Sequence, residues 1–515
     1  MISYRNPILG GFHPDPSVCR VGEDYYLVTS SFEFFPGIPV YHSHDLIHWK
    51  LISYCLTRKS QLNLDGAMPS GGLWAPTIRF HDGLFYMTTT NTTHGWNFFV
   101  TAADPAGPWS EPVWVDLRGI DPSFFFDDDG KVYYLTNDGL NGRRGIVMAQ
   151  IDPVSGKFLS PVRFVWEGLG GLAPEGPHLY KINGVYYLML AEGGTYDGHM
   201  VTIARSRDPW GPYEPCPRNP ILTHRNIFHT IQATGHGELI HAHDGSWWMM
   251  HLAVRRIDHG PRLARETYLA PVTWDAQGWP VVGNNGTIEL EMQAQCLPQR
   301  PWPAKPVRDD FDAPELGLHW NFLRNPAEGI CDLATRPGWL GLRGRGVGLD
   351  DIDSPALVCR RQEHLWCRCT ALLDFDPTAE GDEAGLTLFR SHEYHYDLAV
   401  TMQSGRRKLV FRRAMGDLKI VVVTVDFPPG PVVLEIEAQN KEYIFRYGQS
   451  AANTAEPGKA APLTELARAR AHFLSNEVTG SPFTGVFVGM YATAPIQPSA
   501  STAWFDWFDY EPGKA

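Results

Sequence analysis

The chain has 515 residues, beyond the roughly 250–300 at which a single core stops growing, so two domains are expected. A formal net charge of −13 excludes a polyanionic partner such as nucleic acid, which needs a basic footprint. No run of about 18 apolar residues is present to cross a membrane.

The N-terminus, Met1-Ile2-Ser3-Tyr4-Arg5-Asn6-Pro7, has neither a charged n-region nor an apolar h-region, so no secretion signal is expected. Eight cysteines (Cys19, Cys55, Cys216, Cys296, Cys331, Cys359, Cys367 and Cys369) are scattered, with one close pair. They match neither zinc spacing nor a disulfide framework, and the expected location is the reducing cytoplasm.

A turn followed by an aromatic strand then recurs five times: Glu23-Asp24-Tyr25-Tyr26-Leu27, Asp82-Gly83-Leu84-Phe85-Tyr86, Gly130-Lys131-Val132-Tyr133-Tyr134, Asn183-Gly184-Val185-Tyr186-Tyr187 and Asp244-Gly245-Ser246-Trp247-Trp248. The starts lie about 48 to 61 residues apart. Asp-Gly and Asn-Gly are strong hairpin turns. A second echo follows most of them: His48-Trp49, Pro108-Trp109-Ser110, Pro209-Trp210-Gly211-Pro212 and Thr273-Trp274-Asp275. Almost nothing here shows a sustained helical period. Five copies of about four short strands predict a five-bladed β-propeller over residues 1–299.

The proline-rich stretch Arg300-Pro301-Trp302-Pro303-Ala304-Lys305-Pro306 reads as a linker over 300–308. Strand-like runs such as Lys408-Leu409-Val410-Phe411-Arg412 and Val432-Val433-Leu434-Glu435-Ile436-Glu437 then predict a second all-β domain, a β-sandwich, over 309–515. Residues 449–462 read as a surface loop by composition.

In four repeats a polar residue stands 10 to 12 positions before the first aromatic of the strand: Asp15, Asp121, Glu175 and His236. The second repeat offers Trp74-Ala75-Pro76-Thr77 instead. Equivalent positions of successive blades converge on a propeller axis, so three carboxylates and a histidine are expected in one central pocket. Taken singly, Asp15 and Asp121 read as turn residues, since Asp-Pro is a common turn starter. Glu175 is a poor turn residue. Together, converging acids cost desolvation and repulsion, and such clusters persist mainly where they do chemistry. Only Arg265 is available to balance them.

The strings Phe12-His13-Pro14-Asp15-Pro16-Ser17, Ser30-Ser31-Phe32-Glu33-Phe34-Phe35-Pro36-Gly37, Trp74-Ala75-Pro76, Asp121-Pro122-Ser123, Glu175-Gly176-Pro177 and Gly235-His236 resemble glycoside hydrolase family 43, in particular its two-domain β-xylosidases. In the second domain Leu474-Ser475-Asn476-Glu477, Phe483-Thr484-Gly485-Val486-Phe487-Val488-Gly489 and Phe505-Asp506-Trp507-Phe508 carry the same likeness. The resemblance implies an inverting hydrolase acting on an oligosaccharide. Asp15 is then the general base, Glu175 the general acid, and Asp121 the residue that orients Glu175 and raises its pKa by like charge. Room for the attacking water requires carboxyls roughly 6.5–9.5 Å apart.

Arg265 would grip sugar hydroxyls, with Arg262 its rival. The other reading of Arg265 is a surface ion pair with Glu266. Phe32 and Trp74 would wall the sugar, or pack blade against blade, and Thr195 would line the rim. Phe483 would cap the pocket from the second domain, or lie in the sandwich core on one strand face with Phe487. For His236 the resemblance implies a divalent cation, usually calcium, held with water. The alternative is a satisfied core histidine, since calcium prefers oxygen.

The resemblance has one departure. The family's xylosidases tend to carry a Trp on the strand that here reads Leu135-Thr136-Asn137-Asp138-Gly139-Leu140. The leading expectation is an exo-acting β-xylosidase on xylo-oligosaccharides, and the alternative is an α-L-arabinofuranosidase or a bifunctional enzyme. A binding protein with a dead site would lack an acid or base, and all three carboxylates are present. An interaction scaffold would not gather acids at the axis. The sequence leaves open whether the chain forms a homo-oligomer.

Overall fold

Each of the five turn–aromatic strings is the second strand of an antiparallel blade in the computed structural model, four-stranded in every blade but the fourth, where Leu222–Thr223 adds a fifth strand. The structure describes residues 2–140, 142–256, 263–294, 298–450, 462–479, 483–495 and 501–513. The second strands are Asp24–Val28, Leu84–Asn91, Val132–Leu140, Val185–Glu192 and Trp247–Arg255. Their aromatic residues are needed at the junctions between blades. Rings meet across every one of them: Tyr26 with Phe85 at 5.1 Å, Tyr86 with Phe126 at 5.0 Å, Phe125 with Tyr186 at 6.1 Å, Tyr187 with Trp274 at 5.4 Å, and Tyr25 with His243 at 6.0 Å. Edge-on and tilted aromatic pairs add attraction beyond the area they bury.

The innermost strands, Ser17–Val21, Leu73–His81, Ile120–Phe126, Glu175–Ile182 and Ile231–His241, each pack on the next, and the fifth returns to the first. This is the expected five-bladed propeller. The ring is closed by strand Ile2–Arg5, which pairs with Glu291–Ala294. Tyr4 and Asn6 then donate to the Leu269 carbonyl of the fifth blade, at 2.9 and 3.0 Å.

One buried network crosses the axis. Arg79, from the second blade, donates to the Phe124 carbonyl of the third at 3.2 Å and contacts Nδ1 of His178 in the fourth at 3.1 Å. It also forms an ion pair with Glu238 of the fifth. Glu238 in turn accepts the Val18 amide of the first blade at 2.9 Å. A single guanidinium thereby connects all five blades, directly or through Glu238. Burial pushes the Glu238 carboxyl up, opposed first by Arg79. Burial, then Arg79, holds His178 well below the usual imidazole range, hence neutral.

The second compact unit contains 303–513 together with Asp65–Ser70. It is the expected sandwich. One sheet is ordered Cys331–Asp332, Leu340–Arg343, Thr502–Pro512, Cys367–Asp374, Val432–Gln439, Glu442–Gln449, Thr464–Arg470. The other runs Leu418–Asp426, Arg406–Met415, Tyr394–Gln403, Glu383–Ser391, Phe487–Thr493, Ala356–Arg361, Asn321–Leu323. Leu373, Leu434, Phe445 and Phe505 of the first sheet share a core with Leu388, Phe411, Val488 and Met490 of the second. Helical structure among the described residues amounts to Ala471–Leu474 and Asn476–Thr479, and no helix is long and apolar enough to cross a membrane. Most of the loop expected at 449–462, and Cys296, lie outside the described residues.

Removing one partner of a buried ion pair leaves the other uncompensated, at a cost of about 3–5 kcal/mol. Arg79→Met should therefore lower sharply the urea concentration at which the folded propeller is lost, and adding Glu238→Gln should restore part of it. An unchanged midpoint in the single variant would show that the axial pair carries no stability.

Candidate active site

Four innermost strands carry the same irregularity at the same place. Residues 75–76, 121–122, 176–177 and 236–237 each stand as a pair opposite a single residue of the neighbouring strand, a β-bulge. In the first blade Asp15-Pro16 occupies the corresponding place, just ahead of Ser17–Val21. The leading residue is left-handed in every case, with φ of 54° at Asp15, 30° at Ala75, 57° at Asp121, 58° at Gly176 and 47° at His236. Such bulges re-aim side chains and recur beside active sites. The equivalent positions are thus Asp15, Ala75, Asp121, Gly176 and His236. Glu175 is one residue earlier, where the second blade has Trp74, so the register read from spacing is corrected by one at Glu175. A Cβ at Gly176 would meet the His236 ring at 3.1 Å, so glycine there lets the histidine in.

Asp15 is buried and receives the Arg265 guanidinium through Nη1 at 2.7 Å and Nη2 at 3.3 Å. The Ser30 hydroxyl donates to its other face at 2.6 Å while accepting the Ala75 amide at 2.7 Å. Burial alone would push the Asp15 carboxyl up. Arg265, then His236, Ser30 and His199, hold it below its ordinary value. Asp15 is therefore an ionised carboxylate at neutral pH.

Glu175 behaves in the opposite way. Burial first, then the negative charge of Asp15, push it up to about 7, against Arg265. Burial, followed by the charges of Glu175 and Asp15, drives Asp121 well above the usual carboxylate range. Like charges share protons as a group, so this end of the axis holds a proton where Asp15 holds none. Asp121 and Glu175 thus repel each other as expected, and the Asp15 charge adds to the push on both. Asp121 accepts the Gly176 amide at 2.9 Å, and through that bond it fixes the bulge that follows Glu175.

The other expected residues are placed as follows. The Arg265 guanidinium lies 5.7 Å from the Phe32 ring and 3.3 Å from the Thr195 hydroxyl, and Phe32 is 6.2 Å from Trp74. Phe32, Trp74, Thr195 and Arg265 thus gather around Asp15. The expected alternative for Arg265, a surface pair with Glu266, is not found: Glu266 is bound by Arg255 through two contacts of 2.8 Å. Arg262 lies outside the described residues. Phe483 is a half-buried residue at a bend in the second unit. Strand Phe487–Thr493 begins four positions later, so the two phenylalanines do not share a strand face.

His236 is buried, and Asp15 raises its pKa against a larger lowering by burial. Among the described residues, no group of three His, Cys, Asp or Glu donors includes it. A calcium ion here fits only with one imidazole nitrogen and water as its remaining ligands, since it seeks six to eight oxygens. Ser30, His199 and the Arg79–Glu238 pair escaped sequence reasoning. His199 and the Arg79–Glu238 pair act across blades, and Ser30 joins Asp15 of its own blade to the Ala75 amide of the next.

Comparison with known proteins agrees with this arrangement. The family model of Glycosyl hydrolases family 43 matches residues 4–280, and that of the Beta xylosidase C-terminal Concanavalin A-like domain matches 308–511. The Non-reducing end alpha-L-arabinofuranosidase BoGH43B of Bacteroides ovatus is 45% identical over 99% of this chain and 94% of its own length. A Xylosidase/arabinosidase of Butyrivibrio fibrisolvens is 37% identical over 99% of this chain and its full length. The solved structure of Bacteroides ovatus xyloglucan PUL GH43B superposes with a TM-score of 0.94 at 44% identity, covering 99% of this chain and 100% of that one.

The two carboxyls displaced in opposite directions predict a particular pH profile. For kcat/KM the alkaline limb should fall near pH 7, where Glu175 loses its proton. The acid limb should lie below the ordinary range of an aspartate, where Asp15 gains one. Glu175→Gln should abolish the alkaline limb. If that limb persists in the variant, Glu175 is not the proton donor.

Proposed function

The chain belongs to glycosyl hydrolase family 43, and from that premise we propose that it removes terminal β-D-xylose from xylo-oligosaccharides with inversion. The observation that carries the proposal is the opposed charging of Asp15 and Glu175 within one pocket. An acid and a base working at the same pH need environments that push their pKa values apart.

In the proposed reaction Asp15 takes a proton from water. The water oxygen bonds to the anomeric carbon as the glycosidic bond breaks, and Glu175 gives its proton to the departing oxygen. Arg265 has a double duty. It keeps Asp15 ionised, and its fork is placed between Asp15, Thr195 and the Phe32 ring, where sugar hydroxyls can be oriented. Asp121 sets the backbone that carries Glu175. Phe32 and Trp74 supply the apolar wall. A calcium ion with water ligands at His236 would add positive charge near Asp15, and no bond is made or broken on it.

A second reading, release of terminal α-L-arabinofuranose, is favoured by two observations. The Bacteroides ovatus relative is named for that activity, and the strand Val132–Leu140 offers no Trp after Tyr134. Exo action is proposed for either sugar, in line with the non-reducing-end specificity in that relative's name.

Paired assays on nitrophenyl β-xyloside, nitrophenyl α-arabinofuranoside and xylobiose test both parts. Asp15→Asn and Glu175→Gln should each lower turnover of xylobiose by about 10²–10⁴-fold, the usual contribution of acid–base catalysis. For Glu175→Gln the loss should shrink on the nitrophenyl substrates, whose leaving group needs little protonation. Equal losses on all substrates would remove Glu175 from the acid role, and arabinofuranoside hydrolysis without xyloside hydrolysis would select the second reading.

A further inference from the structure

The first blade carries a group of donors that plays no part in hydrolysis. Strand Gly37–Ser43 carries His42 near its end, and His44 follows at the bend just beyond it. The adjoining strand begins at Asp24, with Tyr25 opposite Ser43 and Tyr26 opposite His42. Asp24 is thereby brought beside both imidazoles. His42 Nε2 lies 2.8 Å and His44 Nδ1 2.9 Å from the same carboxylate oxygen, Oδ1 of Asp24. These three donor atoms all fall within 4.8 Å of one another, and they form the one such group among the described residues.

The rings are fixed from outside. Tyr26 stacks on His42 with centroids 4.9 Å apart and planes at 14°. Trp302 packs on His42 and His44 at 5.3 and 5.0 Å, and its indole N–H donates to the His42 carbonyl at 3.2 Å. The Lys50 ammonium covers the Trp302 ring at 5.2 Å. Trp302 ends the chain segment that belongs to the propeller. The Asp24 carboxylate remains 40% exposed, so water can reach the donors.

We propose that Asp24, His42 and His44 bind a borderline divalent cation, zinc(II) or a neighbour such as nickel(II) or copper(II), which fastens the last propeller segment at Trp302 to the first blade. The donor set decides the class of ion. Two imidazoles and one carboxylate suit these metals, whereas calcium and magnesium want oxygen throughout. The spacing fits as well. Ligands at about 2.0–2.1 Å around a tetrahedral ion stand about 3.3 Å apart, so the nitrogens need move from Asp24 by only about half an ångström. Binding requires each imidazole to turn a lone pair toward the ion at the nitrogen that now faces Asp24 and to carry its proton on the other ring nitrogen, and water completes the coordination. This site is separate from His236 and does not depend on which sugar is cut.

The test uses the full chain without a polyhistidine tag, stripped by chelator and titrated with zinc chloride in a calorimeter, with cobalt(II) absorption as a second readout. The wild type should bind one equivalent that is lost, or weakened well beyond tenfold, in Asp24→Asn and in His44→Gln. Losing even an outer partner of a metal ligand costs about 10–100-fold in affinity. Zinc should also raise the melting temperature of the wild type and leave that of His44→Gln unchanged. Circular dichroism and glycosidase activity of the metal-free variants should match the metal-free wild type, which separates loss of the site from misfolding. Absence of micromolar binding by the wild type, or binding that survives both substitutions, would overturn the proposal.

Discussion

The bond network of Arg79 sets the frame in which everything at the axis is arranged. A propeller brings five innermost strands together, and their polar groups must be satisfied away from water. Arg79 reaches the third, fourth and fifth blades, and Glu238, its ion-pair partner, reaches back to the first. With that charge pair closing one level of the axis, the acids at the bulges form a separate group with a separate counter-ion.

That counter-ion is Arg265, and its position divides the labour. Asp15, Asp121 and Glu175 lie close enough to shift one another's charge, and the guanidinium hydrogen-bonds Asp15. The bonded carboxyl loses its proton easily, while burial and the Asp15 charge keep one on Glu175. Two roles arise from one kind of group because one cation is shared unequally. The repeated bulge contributes the geometry. Its left-handed leading residue presents Asp15, Asp121 and His236 from equivalent places, and in the fourth blade it is Gly176, which leaves the preceding Glu175 to serve.

Much of this was legible in the sequence, for identifiable reasons. The five aromatic strands stood out because each blade junction needs rings, and the same junction recurs five times. Asp15, Asp121 and His236 could be aligned because each lies at the same bulge. Glu175 was found within the same window of 10 to 12 positions, which is too coarse to show that it precedes its bulge whereas Asp121 and His236 lead theirs. The partner of Arg265 was not legible. Glu266 is its sequence neighbour, yet Arg265 stands at a bend just before the strand that Glu266 opens, and Glu266 serves Arg255 while Arg265 serves a residue 250 positions away. Arg79 and Glu238 were missed for the same reason: their meaning lies in contacts between blades. Of the two readings of Phe483, the one that set it on a strand face with Phe487 fails, because the strand starts only at Phe487.

The central claim is that Asp15 activates water while Glu175 protonates the leaving group, each carboxyl held in the matching charge state. A carboxylate that works through water delivers it to the face opposite the leaving group, whereas one that bonds to the sugar itself gives a second displacement and retention. Proton NMR of the first turnovers on a β-xyloside or α-arabinofuranoside, followed before mutarotation, reads the outcome directly. Release of the opposite anomer to that of the substrate is expected. Release of the same anomer would make Asp15 a nucleophile and rule it out as the base that activates water.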